Sequence, residues 1–227
     1  MAEYYVGSFI NFHQVISKYD YRVYLFRGVS KLSYRLKPKI GRIEHAHADF
    51  YTFESTLMKQ FKKLSTPYLN KSPENEWEWL AIAQHHGLST RLLDWSRNPM
   101  VAAYFAICSD YNCESVIYAM DSSQFDENID YVNVPYIYDS ALANEVKIFE
   151  PNHITSRIIA QNGLFTFHSD PMKPLDAIPG IVFDKIIIKR RFKKELKKTL
   201  DVYGINKAAL FPGLDGITEY LEWFNKR

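Results

Sequence analysis

The 227-residue sequence predicts an α+β fold, in which helices flank a mixed, twisted sheet. Two kinds of segment indicate this class. Apolar residues recur at helical spacing over 49–64 and 193–204, whereas 21–26, 115–120 and 183–189 have the composition of strands. No internal repeat or low-complexity tract divides the chain. We therefore predict a single domain over residues 1–227, with its core at about 20–220.

The amino-terminal part predicts a helix ending near Tyr19, then a strand and a longer helix. The segment Tyr21–Phe26 alternates polar and apolar residues, so it predicts a strand that ends in Arg27-Gly28. Glycine there would permit a sharp turn or a close approach of backbone or ligand. Apolar residues form one stripe along the helix Asp49–Leu64, and Glu54 lies beside it. Glu54 is either a flanking charge or a buried partner for a cation such as Arg27.

The stretch Glu76–Ala106 predicts two buried helices joined by a polar loop of about a dozen residues. Gly87 is a typical helix stop, and Asn98-Pro99 supplies an N-cap and a first-turn proline for the second helix. Polar residues are concentrated between the two helices: Gln84, His85, His86, Ser89, Thr90, Arg91 and Asp94. Such a cluster is more typical of a site than of a core.

The carboxyl-terminal part predicts two strands, two helices and a hairpin. The strands are Ser115–Met120 and Phe183–Lys189, and the helices are the basic amphipathic Lys193–Gly204 and Ile217–Phe224. Short strand pieces at 158–159 and 164–167 are predicted to flank a hairpin-like turn. His45 and His47 could form half of a metal site, but nothing nearby in the sequence completes it, so a solvated segment is the favoured interpretation.

Composition narrows the class of partner. Lys+Arg 28 against Asp+Glu 26 gives a net charge of +2, which argues against a general nucleic-acid binder and leaves only a local basic patch open. Two cysteines, Cys108 and Cys113, are too few for a disulfide framework. Because neither a signal peptide nor an apolar run of about 20 residues is present, we expect a cytoplasmic protein without membrane contact.

Several motifs together resemble the FRG domain family, which is named for the triplet found here as Phe26-Arg27-Gly28. The other matching positions are Glu54, Gln84–Gly87, Thr90–Trp95, Asn98-Pro99, Tyr104–Ala106, Arg157, Gln161, Gly163, Phe165-Thr166 and Leu210–Gly216. The resemblance covers most of the chain from about residue 20. Ser89 departs from it, since family members often carry proline there. The family implies a fold group more than a reaction.

The order of motifs also resembles, more distantly, arginine-type ADP-ribosyltransferases. That resemblance implies NAD as cofactor and would add a protein acceptor. It would make Arg27 the clamp for the dinucleotide phosphates and place Ser89-Thr90 at the nicotinamide ribose. Trp95 or Tyr104 could stack on the nicotinamide. The fold would then be similar to that of these transferases.

The sequence departs from the transferase pattern where a catalytic glutamate should stand. It offers Arg157 and Gln161 there instead of a Glu-x-Glu pair. Gln161 could hydrogen-bond a ribose hydroxyl but could not act as a general base. Either Glu54, Glu145 or Glu150 substitutes for the missing carboxylate, or the site binds a nucleotide without transferring it.

Two further functions stay open, so the chain is not assigned as an enzyme. His85 or His86 could pair with Asp94 for metal-independent nuclease or phosphodiesterase chemistry, although His86 also falls on the apolar stripe of its helix. The same cleft could instead be a recognition module for a nucleotide, a modified base or a peptide carboxylate, which needs no titrating base.

The favoured prediction is a phosphate-bearing ligand, such as the nucleotide NAD, in a cleft between the first strand and the 84–95 loop. Arginine suits this task because its planar fork binds phosphate with two parallel hydrogen bonds. A surface salt bridge is the alternative for Arg27. The predicted ligand-binding residues are Arg27, Gly28, Ser89, Thr90, Arg91, Trp95, Gln161 and Thr166. The candidate catalytic residues are His85, His86, Asp94 and Glu54, and no metal ligand is predicted.

Overall fold

Seven strands form one mixed sheet in the computed structural model, which describes residues 1–43, 50–69, 71–109, 112–125, 145–151 and 155–226. The strands are β1 (Glu3–Val6), β2 (Tyr24–Val29), β3 (Leu92–Ser96), β4 (Ser115–Asp121), β5 (Val146–Phe149), β6 (Gly163–His168) and β7 (Phe183–Ile188). Their order is β1-β7-β4-β2-β3-β6-β5. Only β1 and β7 run parallel; the other pairs are antiparallel. The α+β prediction is confirmed.

Helices flank this sheet. They are α1 (Phe9–Ile16), α2 (Phe50–Ser65), α3 (Glu76–His85), α4 (Pro99–Ile107), α5 (Ser156–Ala160), α6 (Lys193–Val202), α7 (Lys207–Leu210) and α8 (Leu214–Asn225). The predicted helix signals around the central stretch are confirmed. Gly87, with φ of 83°, follows α3, and the Asn98 side chain accepts a hydrogen bond from the backbone N of Met100 at the start of α4. No helix in the described ranges has the length and apolar character to cross a bilayer.

Side-chain alternation along the strands divides the core between the two faces of the sheet. In β2, Leu25 packs with buried connector residues such as Leu36 on one face. Phe26 packs on the other face with α1, α4 and α6. Farther along the sheet, β3 and β6 pack against α2 and α3. Residues of α4 pack with Phe26 of β2, and residues of α3 pack with Leu92 of β3. Both helices therefore lie beside the middle of the sheet.

The sheet opens at its middle, between β2 and β3. Strand β2 pairs with β4 along its whole length, and β3 pairs with β6 along its whole length. Between β2 and β3, however, the recorded register is a single position, Phe26 opposite Ser96. Beyond that pair the two strands separate, and Arg27 on β2 and Asp94 on β3 lie on opposite sides of the gap.

Three local predictions are wrong. Arg27 and Gly28 do not end the strand that was predicted from Tyr21 but lie inside β2, because their backbones pair with Tyr118 and Ile117 of β4. The polar loop is shorter than predicted, since residues 92–96 form β3. The segment 158–159 is helical within α5, where a helix capped by the Thr155 side chain replaces the predicted strand. His45 and His47, and most of the acidic, aromatic segment 121–137, lie outside the described residues.

Candidate functional site

A pocket of about 610 Å³ lies where β2 and β3 separate. This volume is typical of sites for small molecules. Its wall combines β2 and the segment after it, the end of α3, β3, α4 and α5. Arg27 and the Gln84–His86 turn, which are distant in sequence, line it together with Asp94. The predicted juxtaposition of Arg27 with this polar cluster is present in the structure.

Arg27 reaches across the gap in the sheet to β3. Its Nη1 donates a hydrogen bond to the backbone O of Asp94 and lies 3.4 Å from Asp94 Oδ2. The side chain is 19% exposed. Burial lowers the pKa of the Arg27 guanidinium, the Asp94 carboxylate opposes this shift, and the Arg42 cation adds to it. Arg27 is therefore a largely buried cation that borders the pocket and lies near a second cation.

Gln84 fixes the position of Asp94. Its Nε2 donates to Asp94 Oδ2 at 3.0 Å, and its Oε1 accepts from Thr90 Oγ1 at 2.6 Å. Thr90 is fully buried, and its Oγ1 also accepts from the backbone N of Leu92 at 3.2 Å. The Thr90 hydroxyl therefore orients the Gln84 amide and does not face the pocket. Ser89 is partly buried and lies outside the residues that line the pocket.

The two adjacent histidines both line the pocket. Their ring centroids are 4.9 Å apart. Burial, the Arg157 cation and His86 lower the pKa of His85 to about 4, and burial and Arg157 also lower the pKa of His86. Within the described part of the chain, the contacts of the Asp94 carboxylate are with Gln84 and Arg27. The hypothesised His–Asp hydrogen bond is thus not formed in this structure.

Arg157 contributes a cation that was missing from the predicted site residues. Its Nη1 donates to the backbone O of His85 at 2.8 Å, and its guanidinium lies 4.3 Å from the centroid of the Phe211 ring. Its Nε is buried and has no hydrogen-bond partner among the residues that the structure describes. Burial lowers the pKa of Arg157, and Asp94 opposes this effect. A buried donor without a partner, on a pocket wall, favours an anionic ligand.

Two more cations line the pocket from the connector after β2. Lys39 Nζ donates to the backbone O of Gly87 at 2.5 Å, and Arg42 Nε lies 3.5 Å from the backbone O of Pro38. The described lining therefore holds four cations, Arg27, Lys39, Arg42 and Arg157, against one carboxylate, Asp94. Sequence patterns gave no signal for Lys39 and Arg42, because they lie in an irregular segment without a motif.

Glu54 and Arg91 form a buried ion pair away from the pocket. They are 0% and 1% exposed. Arg91 Nε donates to Glu54 Oε2 at 2.6 Å, and the backbone N of Arg91 donates to Oε1 at 3.0 Å. The guanidinium also lies over the rings of Phe50, Tyr51 and Phe167. The partner of Glu54 is therefore Arg91 and not Arg27, and the pair connects α2 to the start of β3.

Trp95, Thr166 and His168 form a hydrogen-bonded chain in the core. Trp95 Nε1 donates to Thr166 Oγ1 at 3.0 Å, and Thr166 Oγ1 lies 3.0 Å from His168 Nε2. Indole only donates, whereas a threonine hydroxyl has one proton to donate and two lone pairs that accept, so it can contact His168 Nε2 in either tautomer of the ring. Thr166 is fully buried, and Trp95 is 3% exposed. Trp95 is among the residues that line the pocket, but its ring is almost completely buried and its N–H is bonded to Thr166, which does not line the pocket.

Acid should destabilise the protein through His168. Burial, and next the Arg27 cation, lower the pKa of His168 from 6.5 to about 3. Between pH 6.5 and pH 3 the His168 ring binds a proton in the unfolded chain but not in the folded chain. The stability that the uncharged, buried ring contributes is therefore complete above pH 6.5 and decreases as the pH falls. We expect His168→Gln to reduce the loss of unfolding free energy between pH 7 and pH 4 by about 3 kcal/mol. Urea unfolding at several pH values measures it.

His13 supplies the matched control, because it is exposed on α1. His13→Gln should leave the pH dependence of the parent protein unchanged. Equal pH dependence in the parent protein and in His168→Gln would contradict the role given to His168.

Gly28 and Gln161 line the pocket, but each is engaged within the protein. A Cβ at Gly28 would lie 1.8 Å from the backbone O of Ala102, so the missing side chain accommodates α4. Gln161 Nε2 donates to the backbone O of Leu210 at 2.9 Å, and Gln161 O accepts from Ser96 Oγ at 2.7 Å. The described residues contain no group of three or more His, Cys, Asp or Glu side chains that could hold a metal ion.

Fold and site together define an α+β protein with a cation-lined pocket at an opening in its central sheet. Residues 22–114 match the family model of the FRG domain, and this match supports the resemblance that the motifs predicted. The match contains β2, α2, α3, β3 and α4, and with them Arg27 and Asp94; Arg157 and Gln161 lie beyond it. Comparison with curated proteins and with solved structures found no match.

Proposed function

We propose that the pocket binds a phosphate-bearing small molecule, a nucleotide such as NAD. The observation that supports this proposal is the excess of cations on its wall, four against one carboxylate among the described residues. The whole chain has a net charge of only +2, so this excess is local and does not reflect a generally basic protein. A pocket of about 610 Å³ also has room for a nucleotide.

Two of the cations have donor capacity left for a ligand. Arg157 Nε is buried without a partner in the described part of the chain, and the recorded bond of Arg42 goes to a neutral carbonyl. Phosphate oxygens would satisfy such donors with charge-assisted hydrogen bonds. Partial burial would strengthen these contacts, because charges interact more strongly away from bulk water.

The resemblance to ADP-ribosyltransferases supports NAD as the first nucleotide to test. Arg27 and Gln161, which that resemblance places at the phosphates and at the ribose, both line the pocket. Ser89 and Thr90 do not line it, and the carboxylate on the described lining is Asp94, already bonded to Arg27 and Gln84. These observations favour nucleotide binding over transfer to a protein acceptor. Incubation with NAD, read by mass spectrometry for nicotinamide release, tests transfer separately.

Phosphodiester hydrolysis has less support than binding. A general base works best when its pKa is near the working pH. The pKa of His85 is lowered to about 4, so near neutral pH the ring is uncharged but only weakly basic. Loss of a nuclease activity in His85→Ala would nevertheless favour hydrolysis.

Exchanging Arg27 for lysine should weaken nucleotide binding about tenfold or more. Lysine keeps the charge but loses the planar fork, which is the feature suited to phosphate. Isothermal titration of ADP, ADP-ribose and NAD into both proteins measures the effect.

Arg22→Lys is the matched control. Arg22 also pairs with an aspartate, Asp20, but it is 74% exposed and does not line the pocket. This variant should bind like the parent protein. If Arg27→Lys also binds like the parent protein, Arg27 is not the phosphate clamp.

A further inference from the structure

Asp94 places a carboxylate on the wall of a pocket whose other charged side chains, among the described residues, are cations. Its side chain is 54% exposed. The contacts recorded for the carboxylate, from Gln84 Nε2 at 3.0 Å and Arg27 Nη1 at 3.4 Å, both end on Oδ2. In the described ranges, Oδ1 has no hydrogen-bond or ion-pair partner. The pocket therefore contains an acceptor that is available to a ligand.

The protein holds this acceptor in a fixed orientation. The Gln84 amide binds Oδ2 through its nitrogen, and its own oxygen is occupied by the buried Thr90 hydroxyl. The orientation of the amide is thus set from the core, and Gln84 in turn orients Asp94. Such support is typical of a group that is positioned for binding.

The charge of Asp94 restricts which part of a ligand can lie beside it. An ionised carboxylate only accepts hydrogen bonds. A phosphate at this position would meet a like charge, whereas a hydroxyl group would donate to it. Arg27 and Arg157 both interact electrostatically with Asp94, so cations that suit phosphate lie near the acceptor that suits hydroxyl groups.

We infer that Asp94 binds the hydroxyl groups of a sugar, and that the ligand class is ribose phosphates with a free 2′,3′-diol. This inference rests on the proposed function, since the neighbouring arginines must hold the phosphate. Asp94 is then the residue that selects ribonucleotides over bare polyphosphates and over nucleotides that lack the diol.

Titration calorimetry with three probes tests the inference: ADP, 2′,3′-dideoxy-ADP and inorganic pyrophosphate. The parent protein should bind ADP about tenfold or more tightly than dideoxy-ADP, because hydrogen bonds to a charged acceptor are lost with the diol. In Asp94→Asn this preference should fall to about threefold or less. Pyrophosphate should bind more tightly to the variant than to the parent protein, because the like charge is removed.

Asp20→Asn is the matched control, since Asp20 also pairs with an arginine but lies outside the pocket. It should keep the parent's preference for ADP. Equal binding of ADP and dideoxy-ADP by the parent protein would overturn the role of Asp94 and leave phosphate binding intact, and this comparison needs no variant to fold. If none of the three probes binds, the proposed function fails, and the diol inference with it.

Discussion

Replacing Glu54 with glutamine should lower the free energy of unfolding by about 3–5 kcal/mol, the usual cost of leaving a buried charge without its partner. Glutamine has nearly the same shape, so packing is kept while the charge that balances Arg91 is removed. Both residues are almost completely buried, and Glu54 also accepts from the backbone N of Arg91. The Arg91 cation would remain surrounded by Phe50, Tyr51 and Phe167. Urea unfolding at neutral pH measures the loss.

The pair Arg97–Glu150 provides the matched control. Its Nη2–Oε2 distance is 2.8 Å, but Arg97 and Glu150 are 27% and 57% exposed. Solvent screens such a pair, so Glu150→Gln should cost only about 0–1 kcal/mol. The double variant Glu54→Leu/Arg91→Leu should lose less stability than the sum of the losses in Glu54→Leu and in Arg91→Leu. The reason is that each single variant leaves one buried charge unpaired, whereas the double variant leaves none. A loss below about 1 kcal/mol in Glu54→Gln would show that solvent screens this pair, as it does an exposed pair.

Local signals in the sequence were sufficient for the helices beside the site, but not for the strand between them. The end of α3 at Gly87 and the cap of α4 at Asn98 depend only on neighbouring residues. Strand β3 depends on β6, about 70 residues later, where Leu92 lies opposite Phe167. A five-residue strand with polar flanks has too few positions to show the alternation of a strand. Residues 92–96 were therefore predicted as part of the polar loop.

The polar cluster was predictable as a cluster, but the direction of each side chain was not. Alternation along β3 points Leu93 and Trp95 to one face and Asp94 to the other. Immediately before the strand, Thr90 and Arg91 turn into the core. These directions follow from pairing with a remote strand. Composition therefore located the pocket, while tertiary contacts decided which residues bind within the protein and which border the cavity.

The cations of the pocket could likewise not be predicted as a group from local sequence patterns. Arg27 stands in a recognisable triplet, and its position beside the 84–95 stretch was predicted. Arg42 and Arg157 come from segments at other distances along the chain, and only the folded sheet brings them to one cavity. The two residues after Arg157 were also predicted as strand, whereas they lie with it in α5. An excess of charge in a pocket is a property of the fold, so the net charge of the chain carried no signal of it.

Replacing Gly28 with alanine should destabilise the protein by about 3 kcal/mol or more, the upper range for forcing atoms into a packed interior. A Cβ at this position would lie 1.8 Å from the backbone O of Ala102 and 2.6 Å from the backbone N of Ala106. Both atoms belong to the main chain of α4, so no side-chain rotation relieves the clash. Either α4 or β2 must move. Thermal and urea unfolding measure the effect, and nucleotide affinity is a second readout because α4 carries pocket residues.

Gly163→Ala separates this steric effect from the general cost of changing a strand glycine. Gly163 begins β6, and a Cβ there would meet its nearest neighbour at 3.5 Å, an ordinary contact. Neither glycine has a positive φ, so backbone strain does not distinguish them. Gly163→Ala should therefore change stability by less than about 1 kcal/mol. If Gly28→Ala and Gly163→Ala lower the free energy of unfolding by the same amount, the close approach of α4 is not the reason for glycine at position 28. If only Gly28→Ala is destabilised, the glycine of the Phe26-Arg27-Gly28 triplet serves helix packing, and the triplet combines a packing residue with a pocket cation.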